Sequence, residues 1–243
     1  MKLDYHLVQP LLNGFLGLFF DPKKRPTFFR IDEVCPELNA VTAAYPAIRR
    51  EFERHMKTLP SLPQYHDLDP NEGKISDKSP KRWNVLMLDV LGFKPEGNCA
   101  HFPETCRAVS GVPNLIQAFF SILDPEKSVP EHEGPYYGYL RYHLGVQCPT
   151  QNPPHLVVNK QPYVWKDGEA VMFDDSWPHS VVNHCASPRA VLIIDIRRPL
   201  PSVADAFNRF VIWVARHTYY AAVARKADQY ATRRPQAVVQ AAQ

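Results

Sequence analysis

The hydrophobic pattern of the chain changes character near Leu115. Before it, apolar residues recur at helical spacing or lie in irregular runs. After it, they come in short extended stretches cut by turn residues. The pattern predicts strands near residues 117–123, 137–146, 156–159, 163–166, 170–173, 180–183 and 189–196. Asp124-Pro125, Gly134-Pro135, the Pro149 to Pro154 run, Asp167-Gly168 and Ser187-Pro188 separate them. So many short strands within about eighty residues predict a mainly β chain, folded as a sandwich or double-sheet jelly roll.

Helices are expected at the flanks. Ile48, Phe52, Met56 and Leu59 share one face of a helix over 46–57, with Pro46 in its first turn. A second short helix is expected from near Pro103 to about Gly111. The polar stretch 61–82, with Pro63, Pro70, Gly73 and Pro80, reads as a long connection. After Pro201 the pattern is helical again, with Ser202 as an N-cap. The expected organisation is an N-terminal segment at 1–27, a jelly-roll domain with its N-terminal helices at 28–200, and a helical tail at 201–243. No internal repeat is visible.

Composition narrows the class. With 45% hydrophobic and 22% charged residues, the chain reads as a soluble globular protein. A net charge of +3, without a basic stripe carrying interleaved aromatics, argues against a nucleic-acid partner. Twenty-four prolines favour short strands over long helices. The five cysteines are scattered without C-x-x-C spacing and read as reduced thiols of a cytoplasmic protein. The apolar run 7–20 falls short of the ~20 residues of a membrane span. Gln9, Pro10 and Asn13 interrupt it, and no small-residue cleavage site follows. Followed by Lys23, Lys24 and Arg25, it suits an interfacial anchor or, the preferred reading, an ordinary packed segment.

Of ten histidines, His132 and His179 are singled out because each stands at a predicted strand boundary, where paired strands of a jelly roll can meet. A ferrous ion wants imidazole ligands plus open positions. Spacing alone leaves that metal an open question. Alternation over 137–144 puts Tyr137, Tyr139, Arg141 and His143 on one face and Leu140, Tyr142 and Leu144 on the other, core, face. The polar face is either solvated or the wall of a polar pocket. Arg189 opens the apolar run 190–194. It is either a strand-end charge in water or a planar fork for a carboxylate.

Several of these segments, taken together and in order, resemble the aspartyl/asparaginyl β-hydroxylase family. They are Phe120-Ser121-Ile122-Leu123-Asp124-Pro125, His132-Glu133-Gly134-Pro135, Leu140-Arg141-Tyr142-His143-Leu144-Gly145 and Trp165-Lys166-Asp167-Gly168-Glu169. The series continues with Phe173-Asp174-Asp175-Ser176-Trp177-Pro178-His179, Arg189 and Asp195-Ile196-Arg197-Arg198-Pro199. The likeness spans about residues 28 to 200 and is strongest from about 102.

The resemblance implies a double-stranded β-helix (jelly roll) and a dioxygenase that uses iron(II), 2-oxoglutarate as cosubstrate and O2. It implies that His132 and His179 hold the metal. It further implies that Arg189 holds the cosubstrate's distal carboxylate, with Ser121, Arg141 and His143 as further cosubstrate contacts. Gly134 stands where most 2-oxoglutarate oxygenases carry an aspartate. The eukaryotic aspartyl hydroxylases also have glycine there, which leaves water or chloride to fill that position. Glu131 and Glu133 are not expected as ligands, because neighbours on an extended backbone point away from His132.

For the substrate, the segments 140–145 and 195–200 and the following Asn208-Arg209 resemble the bacterial lipid A 2-hydroxylase branch, which implies hydroxylation of a lipid acyl chain. The aromatic and basic stretch 207–226 suits peripheral membrane contact, or equally a helix packed on the barrel. Gly134 favours the alternative, β-hydroxylation of an aspartyl or asparaginyl group in a peptide, a carrier-bound amino acid or a small molecule. Halogenation and a non-catalytic jelly-roll binding module are the minority readings. Arg82, Trp83, Tyr136 and Tyr137 are candidates for a substrate rim.

Overall fold

The protein is described by a computed structural model covering residues 5–57, 62–76 and 80–232. Helix α1 (Tyr5–Leu16) leads to a two-residue strand β1 (Phe28–Phe29), then α2 (Ile31–Val34), α3 (Leu38–Ala43) and α4 (Tyr45–Met56). The stretch expected as a plain connection instead holds α5 (Tyr65–Leu68), a 3-10 turn (Pro70–Glu72) and α6 (Gly73–Ser76). Strand β2 (Trp83–Val90) follows, then α7 (Glu96–His101) and α8 (Pro103–Ser110).

The remaining strands are β3 (Leu115–Leu123), β4 (Val129–His132), β5 (Tyr139–Gln147), β6 (His155–Val158) and β7 (Gln161–Val164). After them come β8 (Ala170–Phe173), β9 (His179–Val182) and β10 (Arg189–Arg197), then helices α9 (Ser202–His217) and α10 (Tyr219–Thr232). All pairings are antiparallel. One sheet runs β1-β8-β5-β10-β3-β2 and the other β4-β9-β6-β7. Two facing antiparallel sheets with helices at both flanks make the expected jelly roll.

The large sheet is buried on both faces. Leu140, Tyr142 and Leu144 of β5, with Leu192 and Ile194 of β10, pack outward against Ile48 and Phe52 of α4 and against Phe102. Val191 and Ile193 point the other way, into the barrel, where they meet Leu156, Val158 and Val181 of the small sheet. Two-sided burial also explains β2, which the hydrophobic pattern missed. Val85 and Met87 face the barrel while Leu86 and Leu88 face the helices, so no alternation is visible in the sequence.

Glu51 of α4 is buried and anchors α8. Its carboxylate accepts the Glu104 and Thr105 backbone N–H groups at 2.7 and 2.9 Å and the Thr105 hydroxyl at 2.7 Å. That satisfies donors a helix start leaves unpaired.

Two further expectations need correction. Cys99 and Cys106 form a disulfide, with Cα atoms 5.8 Å apart. They lie on α7 and α8, which meet at Phe102, so the pair is made by helix geometry rather than by a recognisable spacing motif. The reduced-thiol argument for a cytoplasmic protein therefore does not extend to this pair, although Cys35, Cys148 and Cys185 are free and buried. Ser202 is the first residue of α9 rather than its N-cap, which is Pro201, and among the described residues no side chain caps that helix start.

The N-terminal apolar run packs rather than dangles. Leu16 is fully buried, and the ring of Phe15 lies 4.2 Å from that of Phe207 on α9. Two asparagines tie this helix pair to the loop before β5. Asn13 donates to the Pro135 carbonyl and accepts from the Tyr137 N–H, while Asn208 accepts from the Tyr136 hydroxyl and donates to the Gly138 carbonyl. Among the described residues, no helix is long and apolar enough to cross a membrane.

Candidate metal and cosubstrate site

His132 ends β4, His179 begins β9, and the two are direct cross-strand partners with ring centroids 4.1 Å apart. Each ring is oriented by its own backbone. His132 Nδ1 lies 2.8 Å from the Pro130 carbonyl oxygen and His179 Nδ1 lies 2.9 Å from that of Trp177. A carbonyl only accepts, so both Nδ1 atoms carry a proton, and Nε2 is the atom each ring, when neutral, offers to a metal. This is the tautomer a metal-ligating histidine needs. Burial, and then the neighbouring His179, lower the His132 pKa to about 4, so its ring stays neutral over the physiological range.

A carboxylate that the sequence reading had not assigned stands beside the pair. Asp175 Oδ1 lies 3.2 Å from His179 Nε2 and accepts from Arg141 Nη1 at 2.7 Å, while Oδ2 accepts the Tyr139 hydroxyl. Burial alone would raise its pKa, but Arg141 and then His179 outweigh that and hold the carboxyl below its usual range. A Cβ added at Gly134 would lie 2.2 Å from Asp175 Oδ2 and 2.6 Å from the Tyr139 oxygen. The missing side chain at 134 is therefore a matter of room, which this carboxylate and phenol take up. Among the described residues, no three His, Cys, Asp or Glu side chains converge as a closed metal cage. The two imidazoles form the candidate ligand set.

Arg141 and His143 follow on β5, facing the barrel interior rather than water. Arg141 grips Asp195 through Nε and Nη2, both at 2.8 Å, and its third nitrogen holds Asp175. Gln117 adds a third bond to Asp195 at 2.6 Å. The whole fork of Arg141 is thus taken by protein carboxylates. His143 is the opposite case. It is buried, packed against Trp165 and Phe173, and neither ring nitrogen has a hydrogen-bond partner among the described residues. Burial, reinforced by Arg141 and Arg189, depresses its pKa well below the ordinary histidine value.

Arg189 opens β10 at 2% exposure. Its Nη1 makes long bonds of 3.3 and 3.5 Å to the Ser121 carbonyl and hydroxyl, its Nε has no partner among the described residues, and its guanidinium lies over Trp165 at 4.3 Å. No salt bridge joins it to a carboxylate of the described residues. Burial lowers its pKa to about 10. Ser121 is held from the other side by Trp83 Nε1 at 2.9 Å. A buried, unpaired guanidinium beside an unpartnered imidazole is costly unless an anion joins it. These orphaned donors and acceptors fit a small dicarboxylate.

The structure thus gathers Ser121, His143 and Arg189 at one end of the interior, and His132, His179 and Arg141 around Asp175. Trp83 and Tyr136 are buried and do not form a rim. Glu131 and Glu133 are exposed, pointing away from the pair. The Asp174–Trp177 turn that carries Asp175 is itself pinned. Asp174 accepts from Arg25 at 2.8 Å and Arg198 at 2.7 Å, and Arg25 stacks on Trp177 at 3.8 Å.

Residues 42–199 match the family model described as aspartyl/asparaginyl beta-hydroxylase, and the chain belongs to that family. It is 39% identical over 170 residues to an ornithine lipid ester-linked acyl 2-hydroxylase of Rhizobium tropici, covering 70% of this chain and 58% of that protein. It is 28% identical over 200 residues to the human aspartate beta-hydroxylase domain-containing protein 2, covering 77% and 52%. The chain spans little more than half the length of these relatives. Among solved structures, a cupin 2 conserved barrel domain protein of Salinispora arenicola matches at 11% identity and a TM-score of 0.31, covering 53% of this chain and 84% of that one.

Proposed function

We infer that the protein is an iron(II)- and 2-oxoglutarate-dependent dioxygenase that hydroxylates an unactivated C–H bond of a lipid acyl chain. One observation carries the cosubstrate part. Among the described residues, Arg189 is a buried cation with no carboxylate partner, set beside the unpartnered His143 within the barrel that also holds the His132–His179 pair. The acyl-chain part is supported by the 39% identical relative, an ester-linked acyl 2-hydroxylase.

Bound iron(II), O2 and 2-oxoglutarate would supply the oxidising power, with succinate and carbon dioxide as coproducts. The chain's own residues do the positioning. His132 and His179 offer Nε2 lone pairs from rings locked at Nδ1. Arg189, backed by Ser121, offers a planar fork to the far carboxylate of the cosubstrate. Arg141 and Tyr139 fix Asp175 against the pair, and the apolar interior excludes water.

A second reading, β-hydroxylation of an aspartyl or asparaginyl group, is supported by the family model and by the 28% identical aspartate beta-hydroxylase domain-containing relative. The test is anaerobic addition of iron(II) and then 2-oxoglutarate, followed by aerobic turnover with an ornithine lipid or with an aspartyl peptide. A visible charge-transfer band abolished by His132→Ala, and a lipid product heavier by one oxygen, is the expected result. A heavier peptide with unchanged lipid moves the protein to the second reading. No band and no retained iron overturns both.

A further inference from the structure

The α9 helix leaves a stripe uncovered. Ala204 and Asn208 are buried against the body of the protein, but Val203, Phe210 and Trp213 on the other side are 66%, 61% and 58% exposed. With Ala206 and His217, also exposed, they recur at alternating spacings of three and four and form one continuous face. The face is ordered by its own contacts. Phe210 and Trp213 stack at 6.3 Å, Trp213 meets His217 at 4.7 Å, and Arg216 covers Phe93, itself 39% exposed, at 5.1 Å. A contiguous exposed patch of Phe and Trp is uncommon on a solitary soluble domain and marks a surface meant to be covered.

Its chemistry selects the cover. An indole and a phenyl ring flanked by arginines suit the boundary between lipid headgroups and acyl chains, where aromatic rings settle and cations meet anionic headgroups. Arg209 and Arg216 lie seven apart, beside the aromatic stripe on the same helix. The acid nearest in sequence, Asp205, is committed to Arg197 at 3.0 Å and Arg209 at 3.5 Å. Over α9 and α10 there are four basic side chains against two acidic ones.

We propose that the outer face of α9, led by Phe210 and Trp213, docks the protein on an anionic lipid surface. The opposite side of the same helix grips the loop between His132 and Arg141 through Asn208, so docking sets the site's approach relative to the membrane. The inference deepens the acyl-chain reading and rests on it only for purpose. Its test is read without turnover, so the two fail separately.

The full chain is sedimented with vesicles of phosphatidylcholine, alone or mixed with phosphatidylglycerol, with Trp213 emission followed in parallel. Trp213 is the exposed tryptophan, since Trp83 and Trp165 are buried and Trp177 is partly buried. The wild type should bind the anionic vesicles, with a blue shift, and be released by salt. The Phe210→Ser/Trp213→Ser double variant, folded by circular dichroism, should lose about tenfold or more in partitioning. Val164→Ser, which alters an exposed apolar residue on β7, should bind as the wild type does. Failure of the wild type to bind, equal binding to neutral vesicles, or equal binding by the double variant overturns the proposal. So does a wild-type dimer that the double variant abolishes, which would assign the face to a second copy of this chain.

Discussion

The carboxylate of Asp175 stands where a side chain on residue 134 would have to go, 2.2 Å from the Cβ that Gly134 lacks. The relation joins two loops. Gly134 follows β4, Asp175 precedes β9, and the Gly134 N–H also donates to the Asp175 carbonyl at 2.8 Å. Gly134→Ala should therefore push Asp175 off Tyr139 and Arg141, at a cost of about 1–3 kcal/mol in stability by urea denaturation. Adding Asp175→Ala should remove the clash, making the double variant's loss smaller than the sum of the two single losses. Additive losses would show that the two positions do not compete for the same space.

Arg141 bridges Asp175 and Asp195, both nearly fully buried. Arg141→Met would leave two interior carboxylates without their cation. The expected loss is about 3–5 kcal/mol in the metal-free protein. Asp195→Asn should cost less, because Arg141 keeps Asp175 and the amide keeps a partner in Gln117. Equal losses in the two variants would contradict the view that the arginine is the hub.

Much of this architecture was legible in the sequence, for reasons that also explain the gaps. Alternation along β5 separated Arg141 and His143 from Leu140, Tyr142 and Leu144, because that strand's two faces differ in polarity. Histidines at two strand boundaries pointed to His132 and His179, which the structure pairs directly. Asp175 lies within the 173–179 segment but in a turn, where no periodicity says which way a side chain points. Strand β2 was hidden because both its faces are covered, and the Cys99–Cys106 bond because only the packing of α7 on α8 brings the two together. Period-two patterns place residues on a strand face. They say nothing about contacts made between loops.

Arg189 carries a prediction in which stability and cosubstrate response move in opposite directions. An unpaired buried cation destabilises the protein that holds it, so Arg189→Met, similar in reach and able to stay against Trp165, should melt at or above the wild-type temperature without cosubstrate. With iron(II) and 2-oxoglutarate added anaerobically, the wild type should gain stability through ligand binding while the variant gains little. A variant that melts well below wild type, or responds equally to 2-oxoglutarate, would show that Arg189 serves the fold and not an anion.

Glu72, at the end of the 3-10 turn, gives a pH signature. Burial, and then the charge of nearby Asp69, raise its pKa from 4.5 to about 8, with Arg141 only partly opposing the shift. The folded protein therefore keeps a proton that the unfolded chain has already lost over that interval. The linked stability is complete below pH 4.5 and falls as the pH rises through about 8. Glu72→Gln removes the titration while keeping the shape of the neutral acid. Its unfolding midpoint in urea, measured without metal, should match the wild type near pH 4 and exceed it progressively from about pH 5 to 9, where the wild type must force a carboxylate into the interior. Parallel midpoints across the whole range would place Glu72 in water in the folded protein and remove it from the surroundings of Asp69 and Arg141.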